Sequence, residues 1–213
     1  MHYNIETFCD NDLNANTYLI YNNEKCIVID PANNLRTLFK YIGERKILGV
    51  FLTHGHYDHF KSLKELLSET DSLVYMHKNA YPKLKDPKSS YAGMFGFPYP
   101  TIIEEDKVRF VKDGEKIELE GFTIKCWYTP GHTDCMMSYF LDDNLFSGDF
   151  IFKGSIGRTD LETSDKIRMC NMIKEIRNRK VNYTIYPGHD LPTTLEDEKR
   201  ENVYFDDNNI RLI

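Results

Sequence analysis

The stretch FLTHGHYDHF, residues 51–60, holds three of the chain's seven histidines, with Asp58 and Gly55 among them. His54 and His56 are two apart, so on an extended turn their side chains face the same way. Asp58 and His59 lie on the turn that follows and point elsewhere. One short loop can therefore feed two metal ions. Imidazole suits zinc, iron or nickel, and carboxylate is a harder ligand that zinc, manganese and iron accept. Three more residues of ligand type stand where an apolar run stops: His132 after CWYTPG, Asp149 after LFSG and His189 after TIYPG. Each has a neighbouring glycine (Gly131, Gly148, Gly188), as His54 has Gly55, and glycine permits the tight turn that aims a ligand inward. Together these five histidines and two aspartates suit two ions that share one carboxylate and one water-derived hydroxide. A lone histidine at a strand end is more often a hydrogen-bonded residue than a ligand, and His2 and His77 are read that way. For the cluster, that reading would need four ligand-type residues to share one turn by accident and three more to follow strand ends by accident.

The elements that must position these residues are legible as patterns. TYLIYNN (17–23) and KCIVIDP (25–31) read as a hairpin across an Asn-rich turn. Residues 33–46 carry helical spacing through Leu35, Leu38, Phe39 and Ile42, with Asn33 or Asn34 as N-cap. ILGVFLT (47–53) is a strand apolar on both faces, and the histidine cluster follows it at once. A helix over 62–70 and a strand over 72–77 come next. From about 79 to 104 the pattern fades into a loop-rich insertion with room for one short helix, and loops of this length are often functional. Strands return at 116–120, 122–129, 136–143 and 144–149, with hairpin turns at Gly121 and at 142–144. Residues 164–179 form the clearest helix, capped by Ser164, with Ile167, Cys170, Met172, Ile173 and Ile176 on or near one stripe. A strand over 182–190 and a charged helix over 194–202 close the chain. The fold class is α/β, in one domain over 1–213.

Composition narrows the function. The chain carries 27 basic and 33 acidic residues, a formal charge of −6, and no basic stripe, which disfavours nucleic acid as a partner. Five cysteines, odd in number and widely spaced, read as reduced thiols rather than a disulfide frame. The first twenty residues lack the basic start and apolar core of a secretory signal, and no apolar run reaches the length of a membrane span. A cytoplasmic protein acting on a small molecule, with no membrane partner, is expected.

The motifs resemble a known family. THGHYDH is similar to the H-x-H-x-D-H signature of the metallo-β-lactamase superfamily, and TPGHT (129–133), FSGD (146–149) and YPGHD (186–190) resemble its later metal motifs in the same order. GDFIFKGSIGRTDL (148–161), YPGHDLPTTLEDEKRENVYF (186–205) and MFGFP (94–98) look like the glyoxalase-II-like branch, in its short single-domain form. The resemblance covers essentially the whole chain. It implies a four-layer αββα sandwich and two divalent ions, zinc foremost, with iron or manganese as substitutes. His54, His56 and His132 would hold one ion, Asp58, His59 and His189 the other, and Asp149 would bridge.

In glyoxalase II the reaction is hydrolysis of a hydroxyacyl-glutathione thioester. Two cations bring a shared water to hydroxide near neutral pH, and the developing oxyanion is stabilised by the metal nearest it. The thiolate leaves with little acid catalysis. Asp58 is a ligand and also the catalytic candidate, orienting the nucleophile or taking its proton. The turn GSIGRTD belongs beside the site, with Arg158 and Asp160 paired to fix it, or merely locking the loop. Phe60 and Lys61, where a small sequence is usual, would narrow the site. Tyr91 and Phe95, with Tyr81, Phe97 and Tyr99, line the cleft or form a satellite core under the insertion. Further departures are Asp134 and Cys135 after His132, and Asp190 after His189; Cys135 could approach the metals, but a packing role is favoured. Two-domain members carry a further helical domain that supplies glutathione contacts; without a counterpart to it in these residues, the cleft is expected to be built mainly from the 79–104 insertion.

Competing readings are a mononuclear-iron persulfide dioxygenase, a hydrolase of another small-molecule ester, a β-lactamase, a nucleic-acid-cutting relative, and a non-catalytic metal-binding domain.

Overall fold

A computed structural model of the protein describes residues 2–206 and residue 209. The chain divides into two compact units, one running to Val111 and including Glu118–Phe122, the other comprising Lys112–Ile117 and the chain from Thr123.

The first unit is built on a six-stranded sheet in the order β1 to β6: β1 Asn4–Cys9, β2 Asn16–Tyr21, β3 Lys25–Ile29, β4 Lys46–Phe51, β5 Val74–His77 and β6 Val108–Val111. β1, β2 and β3 are antiparallel neighbours; from β3 to β6 every pairing is parallel. The β2–β3 turn closes because the Asn22 side-chain oxygen accepts hydrogen bonds from the backbone N–H groups of Glu24 and Lys25. Helix α1, Leu35–Ile42, starts where the Asn34 side chain accepts from the N–H of Arg36, and Leu35, Leu38 and Ile42 form its buried stripe. α2, Tyr57–Phe60, is a single turn that follows the HGH loop, and α3, Leu63–Ser68, comes directly after it. Burial of side chains such as Leu19, Ile27, Leu38, Phe51 and Leu66, each fully enclosed, contributes about 1.5–3 kcal/mol apiece. The insertion holds α4, Ala80–Leu84, and a 3-10 turn over Ala92–Phe95.

The second sheet also has six strands: β7 Lys116–Leu119, β8 Phe122–Tyr128, β9 Met137–Leu141 and β10 Asn144–Gly148, then β13 Thr184–Pro187 and β14 Thr193–Thr194 beyond a small hairpin of β11 Ile151–Phe152 and β12 Ser155–Ile156. β10 lies between β9 and β13 and is parallel to β13. Helices α5, Lys166–Arg177, and α6, Leu195–Glu201, pack Met169, Ile173, Ile176 and Leu195 against Trp127, Phe140, Leu145 and Phe150.

Most expected elements are present within a residue or two of their forecast bounds. Two run short: α1 ends at Ile42 rather than at 46, where Gly43 takes a φ of 59°, and β13 ends at Pro187 rather than at 190. Other features also differ. Asp165, not Ser164, caps α5, its side chain accepting from the N–H of Arg168. The Ser164 hydroxyl donates instead to the His132 carbonyl. Ile167 does not join the α5 stripe: it is 74% exposed, and Met169 takes the buried place. β1, β6, the β11–β12 hairpin and β14 went unforeseen. β1 mixes polar and apolar residues at a sheet edge, β6 has only four residues, and each hairpin strand has only two, so their apolar patterns are too weak to register.

Candidate metal-ligand clusters

In the first unit, strand register sets the site. Ile29, the last residue of β3, lies opposite Phe51, the last of β4, in a parallel pair. The residues after these two ends therefore emerge side by side, at the carboxyl edge where α/β sheets place their functional groups. Asp30 follows β3, and Thr53 and His54 follow β4. The backbone N–H of Asp30 donates to the carbonyl of Phe51 (2.9 Å), and Asp30 adopts a left-handed φ of 49°. Its carboxylate, 2% exposed, accepts from the N–H of Thr53 (2.8 Å), the Thr53 hydroxyl (2.6 Å) and Nδ1 of His59 (2.9 Å).

These bonds fix ring orientation and tautomer. A carboxylate only accepts, so Nδ1 of His59 carries the proton and Nε2 keeps its lone pair. The Thr53 hydroxyl spends its hydrogen on Asp30, so at 3.0 Å from Nδ1 of His54 it acts as acceptor, and His54 likewise offers Nε2. One buried carboxylate thus orients two histidines, one directly and one through a hydroxyl. The rings of His54 and His59 lie 4.2 Å apart, and those of His54 and His56 4.5 Å. Asp58, in the first turn of α2, places Oδ2 3.6 Å from Nε2 of His59. The Nε2 atoms of His54, His56 and His59 are all buried. Gly55 is needed between them: a Cβ there would stand 2.9 Å from Cβ of Lys83 and 3.2 Å from the carbonyl of Ala80.

The second unit repeats the logic with different parts. Gly148, the last residue of β10, pairs with Pro187 at the end of parallel β13, and the Gly188 N–H donates to the Gly148 carbonyl (2.9 Å). Asp149 and His189 follow these ends, and Asp149 Oδ2 lies 3.7 Å from Nε2 of His189 and 3.4 Å from Nε2 of His132. His132 donates from Nδ1 to the carbonyl of Arg158 (2.9 Å), so Nε2 is again the ring nitrogen that keeps its lone pair. The Ser164 hydroxyl donates to the His132 carbonyl (2.6 Å), the task that takes it away from capping α5.

The seven expected ligands therefore gather as four in one unit and three in the other. His2 is exposed and His77 accepts from the Asn79 N–H at 3.3 Å, as expected of ordinary histidines. Arg158 and Asp160 form the expected pair, bidentate at 2.6 and 2.8 Å, and the guanidinium holds the Asp160 carboxyl down at about 2. Both side chains are more than half exposed, so the pair is solvated; it is the Arg158 backbone, not its charge, that reaches a ligand. Tyr91, in a left-handed turn (φ 60°), sets its ring edge-on to His56 at 5.1 Å. Phe95 is 43% exposed, and the Phe97 ring lies tilted against Tyr57 with centroids 4.8 Å apart. Phe60 is not a wall of the site: it is fully buried and packs edge-on against Tyr57. Lys61 does not reach inward either. Burial would lower its pKa, but hydrogen bonds to Asp10 (2.6 Å) and Asp12 (3.2 Å) outweigh that and raise it. Cys135 is buried with its sulfur 3.5 Å from the Thr133 hydroxyl.

Asp30 and Thr53 were not singled out from sequence. The signal was present: IDP ends an apolar run as FSGD and YPGH do, and the rule of residues past strand ends applies to Asp30 equally.

Residues 10–200 match the model of the metallo-beta-lactamase superfamily. The chain is 30% identical over 197 residues to a probable metallo-hydrolase, YqgX, of Bacillus subtilis, covering 90% of this chain and 92% of that one. It is 28% identical over 207 residues to hydroxyacylglutathione hydrolase GloC of Haemophilus influenzae, covering 94% and 97%. The crystal structure of TTHA1623 in a di-iron-bound form shares 29% identity at a TM-score of 0.80, covering 93% of this chain and 99% of that one. Among the described residues no helix is long and apolar enough to cross a membrane.

Proposed function

The chain belongs to the metallo-beta-lactamase superfamily and has its fold, and we propose that it is a metal-dependent hydrolase of a small acyl thioester of the hydroxyacylglutathione type. The observation that carries the metal reading is the outer tethering of the rings. Asp30, Thr53 and the Arg158 carbonyl hold Nδ1 of three histidines, and each is left with Nε2 as a ligand atom. Metal-ligating histidines are held from behind in this way. Neutral imidazoles with carboxylates suit zinc, iron or manganese, so the donor set fits the ions the superfamily binds. His54, His56 and His132 would serve one ion, Asp58, His59 and His189 a second, with Asp149 common to both.

Bound there, two divalent ions supply an acidified water and a Lewis acid for the thioester carbonyl. The chain's own residues do the rest. Asp30, Thr53 and the Arg158 carbonyl hold the proton on Nδ1 and turn Nε2 of each ring toward the ligand position. Asp58, partly exposed at the head of α2, is placed to orient the nucleophile or accept its proton. Tyr91 packs edge-on against His56. The thioester assignment draws its support from the length-wide similarity to the GloC hydrolase, and the metal from the same source and the di-iron relative.

The test is thiol release from S-D-lactoylglutathione by metal-loaded protein, with elemental analysis of the same preparation. Turnover that is lost in both Asp58→Ala and His132→Ala, with about two metals per chain, is expected. Full metal loading without thiol release would reject this substrate and leave the metal reading standing. Oxygen uptake with glutathione persulfide would move the protein to the dioxygenase class.

A further inference from the structure

The β11–β12 hairpin and the two residues that follow it touch all three ligand candidates of the second unit. Its strand residue Phe152 sets its ring edge-on to His189, centroids 5.9 Å apart. Gly157, just past β12, lies so close to the chain that a Cβ there would stand 1.8 Å from the Asp149 carbonyl and 3.1 Å from Cβ of His132. Arg158, the next residue, gives its carbonyl to Nδ1 of His132. A shift of this hairpin would move three ligands at once.

What holds the hairpin is a buried charge that the proposed chemistry does not use. Glu198, on α6, is 2% exposed. Its Oε2 accepts from the N–H of Gly154, at the hairpin tip, where φ is 72° (2.9 Å), and from Nδ2 of Asn202 (2.7 Å). Its Oε1 accepts from the Thr193 hydroxyl (2.7 Å). Nδ2 of Asn202 also donates to the Ser155 carbonyl (2.9 Å), so the pair grips both sides of the tip. Burying a carboxylate is costly unless hydrogen bonds compensate, and here two of the three lead into or brace the hairpin.

We propose that Glu198, with Asn202, is a positioning residue for the metal ligands His132, Asp149 and His189, acting through the β11–β12 hairpin. The proposal rests on the metal-binding reading above. It makes the acid of the EDEKREN segment part of the site's support rather than part of a solvated helix face.

The experiment titrates metal-free protein with Zn²⁺ against a chromophoric chelator and records the absorption spectrum of the Co²⁺-loaded form. Wild type is compared with Glu198→Ala and Glu198→Gln, and the melting temperature of each metal-free protein is measured alongside. Glutamine can still accept from Gly154 and Asn202 with its oxygen and donate to the Thr193 hydroxyl with its amide. Glu198→Ala is expected to weaken binding about 10- to 100-fold and to change the Co²⁺ spectrum, and Glu198→Gln to restore both. A Glu198→Ala protein that is folded, melts lower without metal, and binds Zn²⁺ as wild type does would overturn the proposal, because a merely structural residue behaves so. Should Glu198→Ala not fold, Asn202→Ala takes its place, with a smaller loss expected and unchanged affinity again decisive. Wild-type protein that binds no metal would sink the underlying reading as well, and is recognisable as that failure because it needs no variant.

Discussion

The two clusters solve one problem in different ways. Both draw residues from the carboxyl ends of two adjacent parallel strands, β3 and β4 in the first unit, β10 and β13 in the second. In the first, the ligands fall within six residues of sequence and a buried side chain, Asp30, orients the rings. In the second, the ligands are spread from 132 to 189, and the bracing is done by backbone: the Arg158 carbonyl, the close approach of Gly157, and a hairpin tip held by Glu198. A side-chain brace concentrates its effect in one residue. A backbone brace spreads it over a segment, and any one side chain matters less. The first cluster should therefore be the more sensitive to point substitution.

Asp30→Ala tests that ranking most directly. It removes the acceptor for the Thr53 amide and hydroxyl and for His59 in a buried setting. Leaving such donors unsatisfied costs about 2–4 kcal/mol of stability in total, and metal affinity should fall by about 100-fold. Chemical unfolding and a chelator titration measure the two. An affinity loss smaller than that of Glu198→Ala would reverse the order of the two clusters.

Gly157→Ala against Gly55→Ala sharpens the comparison. The new Cβ at Gly157 meets a backbone carbonyl that cannot turn aside, whereas at Gly55 the nearest atoms belong to the Lys83 side chain. Overpacking of this kind costs about 1–3 kcal/mol, with Gly157→Ala at the upper end and losing metal, and Gly55→Ala below it. Equal destabilisation in thermal melts would show that the backbone near Asp149 yields more readily than its contacts imply.

The smallest effect belongs to Asp160→Asn. The Arg158 pair is solvated and should matter little at neutral pH, leaving metal affinity unchanged. Its sign is still defined. The folded-state pKa of Asp160 is held down to about 2 by Arg158, so whatever stability the pair gives is present above about 4 and fades as pH falls towards 2. Melting curves of the two proteins should converge over that window. A gap that widens on acidification would contradict the assignment.

The legibility of the two clusters followed their construction. His54, His56, Asp58 and His59 announce themselves because one loop carries them all and ligand chemistry demands those residue types. His132, Asp149 and His189 were found by a weaker rule, that functional residues follow buried strands beside glycine. The same rule reached Asp30 but was not applied to it, since a single aspartate in IDP carries no motif. The hairpin escaped because two-residue strands leave no periodicity, and Glu198 because it lies in a run of charges that reads as a solvated helix. Ser164 looked like a cap because its type and place suited one; its hydroxyl instead serves the His132 carbonyl.

By itself, then, the sequence determined the α/β class, most of the elements and all seven ligand candidates, because apolar periodicity and ligand chemistry are properties of residue type and spacing. Only the tertiary structure decided which atoms hold those ligands in place. Parallel register set Ile29 against Phe51 and Gly148 against Pro187, and so chose Asp30 and the Gly148–Gly188 contact. The burial of Glu198 was decided by the docking of α6 on the hairpin. Hydrogen bonds to backbone carbonyls and amides carry no residue identity, so nothing in the string of letters marks them until the chain has folded.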